Sequence, residues 1–174
     1  TEDNNLSILG GYSANFSSRE IDSSNTILDG GGTNRVLTLM STTALCDYEI
    51  EGLTVQNGDS LDEMGGGIAI RALGDVSISS NHIVNNIGGW AGGGVFIVTD
   101  YNATVEKTSS VELNNNNISY NSSPEINGNG GGGVYILYGN PVLSNNVISN
   151  NVGNGLLGGG GVYIGFNADA TLIN

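Results

Sequence analysis

The sequence predicts an all-β chain wound as a parallel β-helix, and three observations carry that expectation. A glycine-rich phrase occurs four times: Gly65-Gly66-Gly67-Ile68-Ala69-Ile70, Gly92-Gly93-Gly94-Val95-Phe96-Ile97, Gly131-Gly132-Gly133-Val134-Tyr135-Ile136 and Gly159-Gly160-Gly161-Val162-Tyr163-Ile164. Its last glycines, Gly67, Gly94, Gly133 and Gly161, lie 27, 39 and 28 residues apart, a solenoid period with one stretched interval. Between the phrases, apolar residues fall in short runs with period two, the spacing of strands with one inward and one outward face. Composition agrees, with 29 Gly, only 2 Pro and many Asn and Ser. There is no G-X-Y period and no polar tract devoid of Ile, Val and Leu, so collagen and disorder are poor readings. The chain, residues 1–174, reads as one domain that grows lengthwise.

The first coil runs from Leu6-Ser7-Ile8-Leu9 through Gly10-Gly11 and a polar loop to Thr26-Ile27-Leu28-Asp29. The second takes Val36 to Leu39, Tyr48 to Glu51 and Leu53 to Asn57, closed by the loop 59–64. Ile68 to Arg71, Val76 to Ile78 and His82 to Asn86 make the third. In the fourth, an insertion over about 99–110 delays Val111-Glu112-Leu113, as a turn insertion does without breaking a stack. The fifth repeats the scheme through Val142-Leu143 and Val147-Ile148, and a sixth begins at Val162. About five to six coils are expected, with strands stacked roughly 4.8 Å apart.

A second phrase sets the register: Thr54-x-x-Asn57, Ile83-x-x-Asn86, Ile118-x-x-Asn121 and Val147-x-x-Asn150. The spacing of Asn57, Asn86, Asn121 and Asn150 predicts an asparagine ladder at one corner, where left-handed turns and stacked amides both suit Asn. The glycine phrases themselves lack the Lys-Ser/Thr of a phosphate cradle and read as corners needing positive φ and close backbone approach.

Charge narrows the partners. Seventeen acidic residues face only Arg19, Arg35, Arg71 and Lys107, a net charge of −13, which leaves no basic groove for nucleic acid. No apolar run approaches the roughly 20 residues that span a bilayer, so direct membrane insertion is not expected. Cys46 stands alone and reads as a small buried hydrophobe. The chain begins without Met or a signal peptide and ends inside a strand-like run, as a segment of a longer polypeptide would.

Two sets of residues are candidates for binding. Asp47, Glu49, Glu51, Asp59, Asp62 and Glu63 fall close together; converging carboxylates would hold Ca²⁺, whereas a solvated acidic face would hold nothing. No other cofactor is indicated. The middle of the glycine phrase gives Ala69, Phe96, Tyr135 and Tyr163, an outward row extended by Tyr138 and flanked by Trp90. Such a row serves either as an exposed platform for sugars or protein, or as mutual stacking that only stabilises a sheet. His82, the sole histidine, has no nucleophile beside it and reads as an outward or corner residue. Asp29, Asp75 and Asp100 offer carboxylates for glycoside hydrolysis, but no spacing selects a pair.

The paired phrases resemble the GGA(I/V/L) and FxxN repeats of the chlamydial polymorphic outer membrane proteins and, more broadly, the pectin-lyase-like β-helix regions of secreted bacterial proteins. Gly stands here for the Ala of the first phrase, and Ile or Val for the Phe of the second. The opening Gly10-Gly11-Tyr12, Phe16, Arg19 and Thr26 to Gly30 is similar to the start of such regions. The resemblance implies a right-handed parallel β-helix, export, and a place in a surface adhesin. The expected function is a non-enzymatic, extracellular or cell-surface structural and adhesive module contacting a glycan or a host or cell-surface protein. Its rivals are a carbohydrate-active enzyme, in which carboxylates and Arg71 would converge in one groove, and a filament subunit that self-associates end to end.

Overall fold

The structure is a computed structural model that describes residues 4–41, 43–99 and 109–174. Its strands come in a fixed succession. β1 (Leu6–Leu9), β2 (Ile27–Asp29) and β3 (Leu37–Met40) are followed by β4 (Tyr48–Glu51), β5 (Thr54–Gln56) and β6 (Ile68–Arg71). Next come β7 (Val76–Ser79), β8 (His82–Val84) and β9 (Val95–Val98). β10 (Val111–Asn114), β11 (Asn117–Ser119), β12 (Ser122–Ser123) and β13 (Val134–Tyr138) repeat the order. So do β14 (Val142–Ser144), β15 (Val147–Ser149), β16 (Val152–Gly153) and β17 (Val162–Ile164), ahead of β18 (Thr171–Ile173).

The chain visits three sheets in turn: β1-β4-β7-β10-β14-β18, β2-β5-β8-β11-β15 and β3-β6-β9-β13-β17, with β12 and β16 forming a short fourth. The strand pairs are parallel, and the described residues contain no helix, an arrangement consistent with a parallel β-helix or solenoid. The insertion expected near 99–110 falls largely on 100–108, outside the described residues, as do Asp100 and Lys107.

Registers show why the sequence stacks. Ile68, Val95 and Val134 align in one row and Ile70, Ile97 and Ile136 in another, all fully buried. Ile50, Ile78 and Leu113 come from the first sheet, and Val55, Ile83 and Ile118 from the second, to fill the same core. Each buried aliphatic side chain contributes about 1.5–3 kcal/mol relative to exposure. Cys46 is among them, 1% exposed.

Two corners are held by buried amides. At one, the Gly58 N–H donates to Asn86 Oδ1 (2.8 Å); the N–H and Nδ2 of Asn86 donate to Asn121 Oδ1, and those of Asn121 to Asn151 Oδ1, at 2.9–3.0 Å. Each Nδ2 also donates to a main-chain carbonyl, Asn86 to Val55, Asn121 to Ile83 and Asn151 to Ile118. Asn121 thereby uses both amide hydrogens and both lone pairs of its carbonyl, the full capacity of the group. The second corner does the same with Asn81, Asn116 and Asn146, the Leu53 N–H donating to Asn81 Oδ1.

This corrects the expected ladder by one residue. Asn86 and Asn121 belong to it, but its next member is Asn151, whereas Asn150 and Asn57 sit one position earlier in the left-handed conformation, at φ 55° and 52°. The equivalent positions, Asn85 and Tyr120, are left-handed as well. Each corner thus pairs a left-handed residue with a buried amide.

The glycine phrase and the amide ladder depend on each other. A Cβ on Gly67 would stand 2.5 Å from the Gly94 carbonyl oxygen and 3.0 Å from Asn86 Nδ2, and one on Gly94 would meet Gly133 and Asn121 in the same way. Gly133 repeats this against Gly161 and Asn151. Only glycine lets the backbone pass the ladder at that distance.

Replacing Asn86 by Ala leaves the Gly58 N–H buried without a partner, at about 1–3 kcal/mol, and removes one donor each from the Val55 carbonyl and Asn121 Oδ1, so a loss of about 2 kcal/mol or more is expected in urea denaturation followed by circular dichroism. Asn150→Gly, which suits a left-handed position, is expected to change stability by under about 0.5 kcal/mol.

Candidate functional site

The aromatic row forms on the outer face of the third sheet, where Thr38, Ala69, Phe96, Tyr135 and Tyr163 are aligned by register. Phe96 and Tyr135 stack with centroids 5.9 Å apart, and Tyr135 and Tyr163 at 5.2 Å with planes 4° apart. Stacking of this kind adds about 0.5–1.5 kcal/mol per pair beyond area burial. The row is nevertheless covered: Tyr135 is 1% exposed and Phe96 8%, while Tyr163 and Tyr138 are partly buried. An exposed platform of these rings, one of the two readings of the sequence, is therefore not what the fold presents.

The cover comes from the corner loops. Gly131, at φ 69°, brings the backbone so close that a Cβ there would lie 2.9 Å from Tyr135 Cβ. Met64, Ala91, Val98 and Leu137 complete a second apolar cluster around the rings.

Where the row shortens, a groove opens. Thr38 and Ala69 occupy the places that Phe96 and Tyr135 fill farther along, and above them lies a space of about 540 Å³. Phe96, Leu137, Met40 and Met64 line it together with Trp90, which is 43% exposed. Arg35 closes one side: its Nη2 donates to Glu63 Oε2 (2.5 Å) and the Met64 carbonyl, and its Nε to the Gly65 carbonyl. The Trp90 main-chain N–H donates to the Glu63 carbonyl, which ties the two loops together beside the groove. Asp62 and Arg71 also line the groove, and neither side chain has a hydrogen-bond or ion-pair partner among the described residues.

The acidic candidates separate. Asp47 and Glu49 line a different groove on the first sheet, with Asp75 and Glu112. There Asp47 Oδ1 accepts the Asp75 N–H (2.8 Å) and Glu49 accepts from Ser7 Oγ (2.9 Å). Glu51 pairs with Arg19, whose guanidinium also lies over the Tyr12 ring. Asp59 accepts the Leu61 N–H within its own loop. Among the described residues, no three His, Cys, Asp or Glu side chains are placed together to hold a metal ion. Asp29 accepts from Gln56, Gly31 and Asn57, and these bonds hold its carboxyl below the usual range. His82 takes an outward place in the second sheet, in register with Thr54 and Asn117.

Comparison with protein-family models, with characterised proteins and with solved structures finds no match.

The groove was not legible as such, although its signals were present: small residues at the head of an otherwise aromatic row, and Trp90 beside it. The second amide corner was likewise missed. Asn81 and Asn86, Asn116 and Asn121, and Asn146 and Asn151 recur as pairs five residues apart, a spacing visible in the sequence.

Burial is the chief cause that pushes the Tyr135 phenol above its ordinary value, with the neighbouring Tyr163 adding to it. Folding then favours the neutral phenol. Its stabilisation is full below the unfolded value of about 10 and is lost as pH rises from there through the folded value. Tyr135→Phe is expected to lose about 1 kcal/mol near neutrality with the hydrogen bond to Asn129, and to show a shallower further loss of melting temperature above about pH 10 than the parent protein.

Proposed function

We propose that the chain is a right-handed parallel β-helix of about five to six coils, exported and displayed at a cell surface as a rigid structural and adhesive module. The observation that carries this reading is the corner between the second and third sheets. Loops stack there in register, through bridges from Asp59 to Ile87 to Ser122 and from Met64 to Ala91 to Gly130. The loop after β15 joins them through Ser122 and Val152, and each of the four carries a large exposed apolar side chain: Leu61, Trp90, Ile126 and Leu156 are 66, 43, 72 and 75% exposed. Isolated exposed apolar residues are ordinary, but one on each of four successive stacked loops suits attachment to a protein or glycan surface. The amide ladders support the spacer role, since they tie each level to the next independently of the core.

A carbohydrate-active enzyme is the second reading, because Asp62, Glu63 and Arg71 line one groove. Arrays of immobilised glycans and extracellular proteins, probed with and without Ca²⁺, separate the two. The adhesive reading expects retention that falls at least about tenfold in a Leu61→Ser, Ile126→Ser, Leu156→Ser variant of unchanged melting temperature. Release of new reducing or unsaturated ends, abolished in Arg71→Ala, would replace it with the enzymatic one.

A further inference from the structure

We propose that the groove over Thr38 and Ala69 binds a small amphipathic monocarboxylate, its carboxylate on Arg71 and its apolar body against Trp90 and Phe96. The inference stands on the groove alone and does not require the adhesive reading.

The size is that of a small-molecule site: about 540 Å³ lies within the range of roughly 300–1,000 Å³ that such ligands occupy. Shape follows from the row beneath. Ala69 forms the floor where the next level carries Phe96, so the ring becomes an end wall, and the half-exposed indole of Trp90 stands beside it.

Charge gives the site polarity. Arg35 is fully engaged by Glu63, Met64, Gly65 and Thr38, so its charge is neutralised in place. Arg71, at the far end of β6, is exposed and has no side-chain partner among the described residues. In a chain with 17 acidic residues and four basic ones, an unengaged guanidinium at the end of an apolar groove is the one feature there that attracts an anion. Its planar fork matches a carboxylate. Asp62 lies in the loop that precedes β6, at the opposite end, and repels a second negative charge. The run from Ile68 to Arg71 is roughly 10 Å at about 3.3 Å per residue, the length of a phenyl ring plus a short alkyl acid.

Trp90 is the sole tryptophan, so its fluorescence reports on this site alone. We would titrate the protein with 4-phenylbutyrate, 4-phenylbutanol and suberate, and repeat the series with Arg71→Gln and Asp62→Asn. The expected result is a saturable change with phenylbutyrate, an affinity about tenfold weaker for the neutral alcohol, and no detectable binding of the dicarboxylate. Arg71→Gln should reduce phenylbutyrate to the level of the alcohol while leaving the alcohol unchanged, and Asp62→Asn should admit suberate. Calorimetric melting of both variants at the parent temperature establishes that they are folded. The proposal is overturned if phenylbutyrate gives no saturable change up to about 10 mM, or if folded Arg71→Gln binds it as the parent does. It is equally overturned if suberate binds the parent protein as well as phenylbutyrate.

Discussion

A side-chain amide buried at a corner of a stack must find four partners, because an unpaired donor or acceptor there costs about 1–3 kcal/mol. Asn116 and Asn121 find all four among the levels on either side and the carbonyls of Ile78 and Ile83. Much else follows from that requirement. The residue before each amide is left-handed, the three-residue strands β8, β11 and β15 are spaced by the two corners, and the glycine phrase supplies backbone without side chains where it passes the ladder. Aspartate could not take these places, since a carboxylate has no hydrogens to donate.

The same register decides what the outer surface offers. Parallel in-register stacking brings like positions together, so Phe96, Tyr135 and Tyr163 meet as a stack whether or not a ligand exists. The loop that returns over them then removes them from solvent. What remains exposed are the loop tips and the short end of the row, where Thr38 and Ala69 leave room beneath Trp90. The carboxylates are distributed by register too: Glu49 and Glu51 stay with the first sheet, and Asp62 and Glu63 go to the groove on the third.

Strand content and repeat phase were legible because both depend on patterns of period two and on glycine, which are local properties. The four glycine phrases fall in register as β6, β9, β13 and β17, preceded by β3, whose Leu37-Thr38-Leu39 directly follows Asn34-Arg35-Val36, with the triplet Gly30-Gly31-Gly32 farther upstream. The asparagine phase differs by one position at Asn150, where adjacent asparagines do two different jobs and composition cannot say which amide turns inward, and at Asn57, where the ladder position falls on Gly58 and carries no amide side chain. Burial of Tyr135 depends on the path of a loop several residues away, which no strand pattern encodes. The groove required knowing that Ala69 and Trp90 are neighbours.

If the amide ladders hold the levels together, backbone N–H groups that donate to them should open only when the whole stack does. Residue-resolved hydrogen exchange on the native protein tests this directly. The account predicts that Leu53, Gly58, Asn81, Asn86, Asn116 and Asn121 are among the slowest amides, with protection equal to global stability. Fast exchange at Asn86 and Asn121, while Ile70 and Ile97 remain protected, would show a core that stacks without its corners and would contradict it.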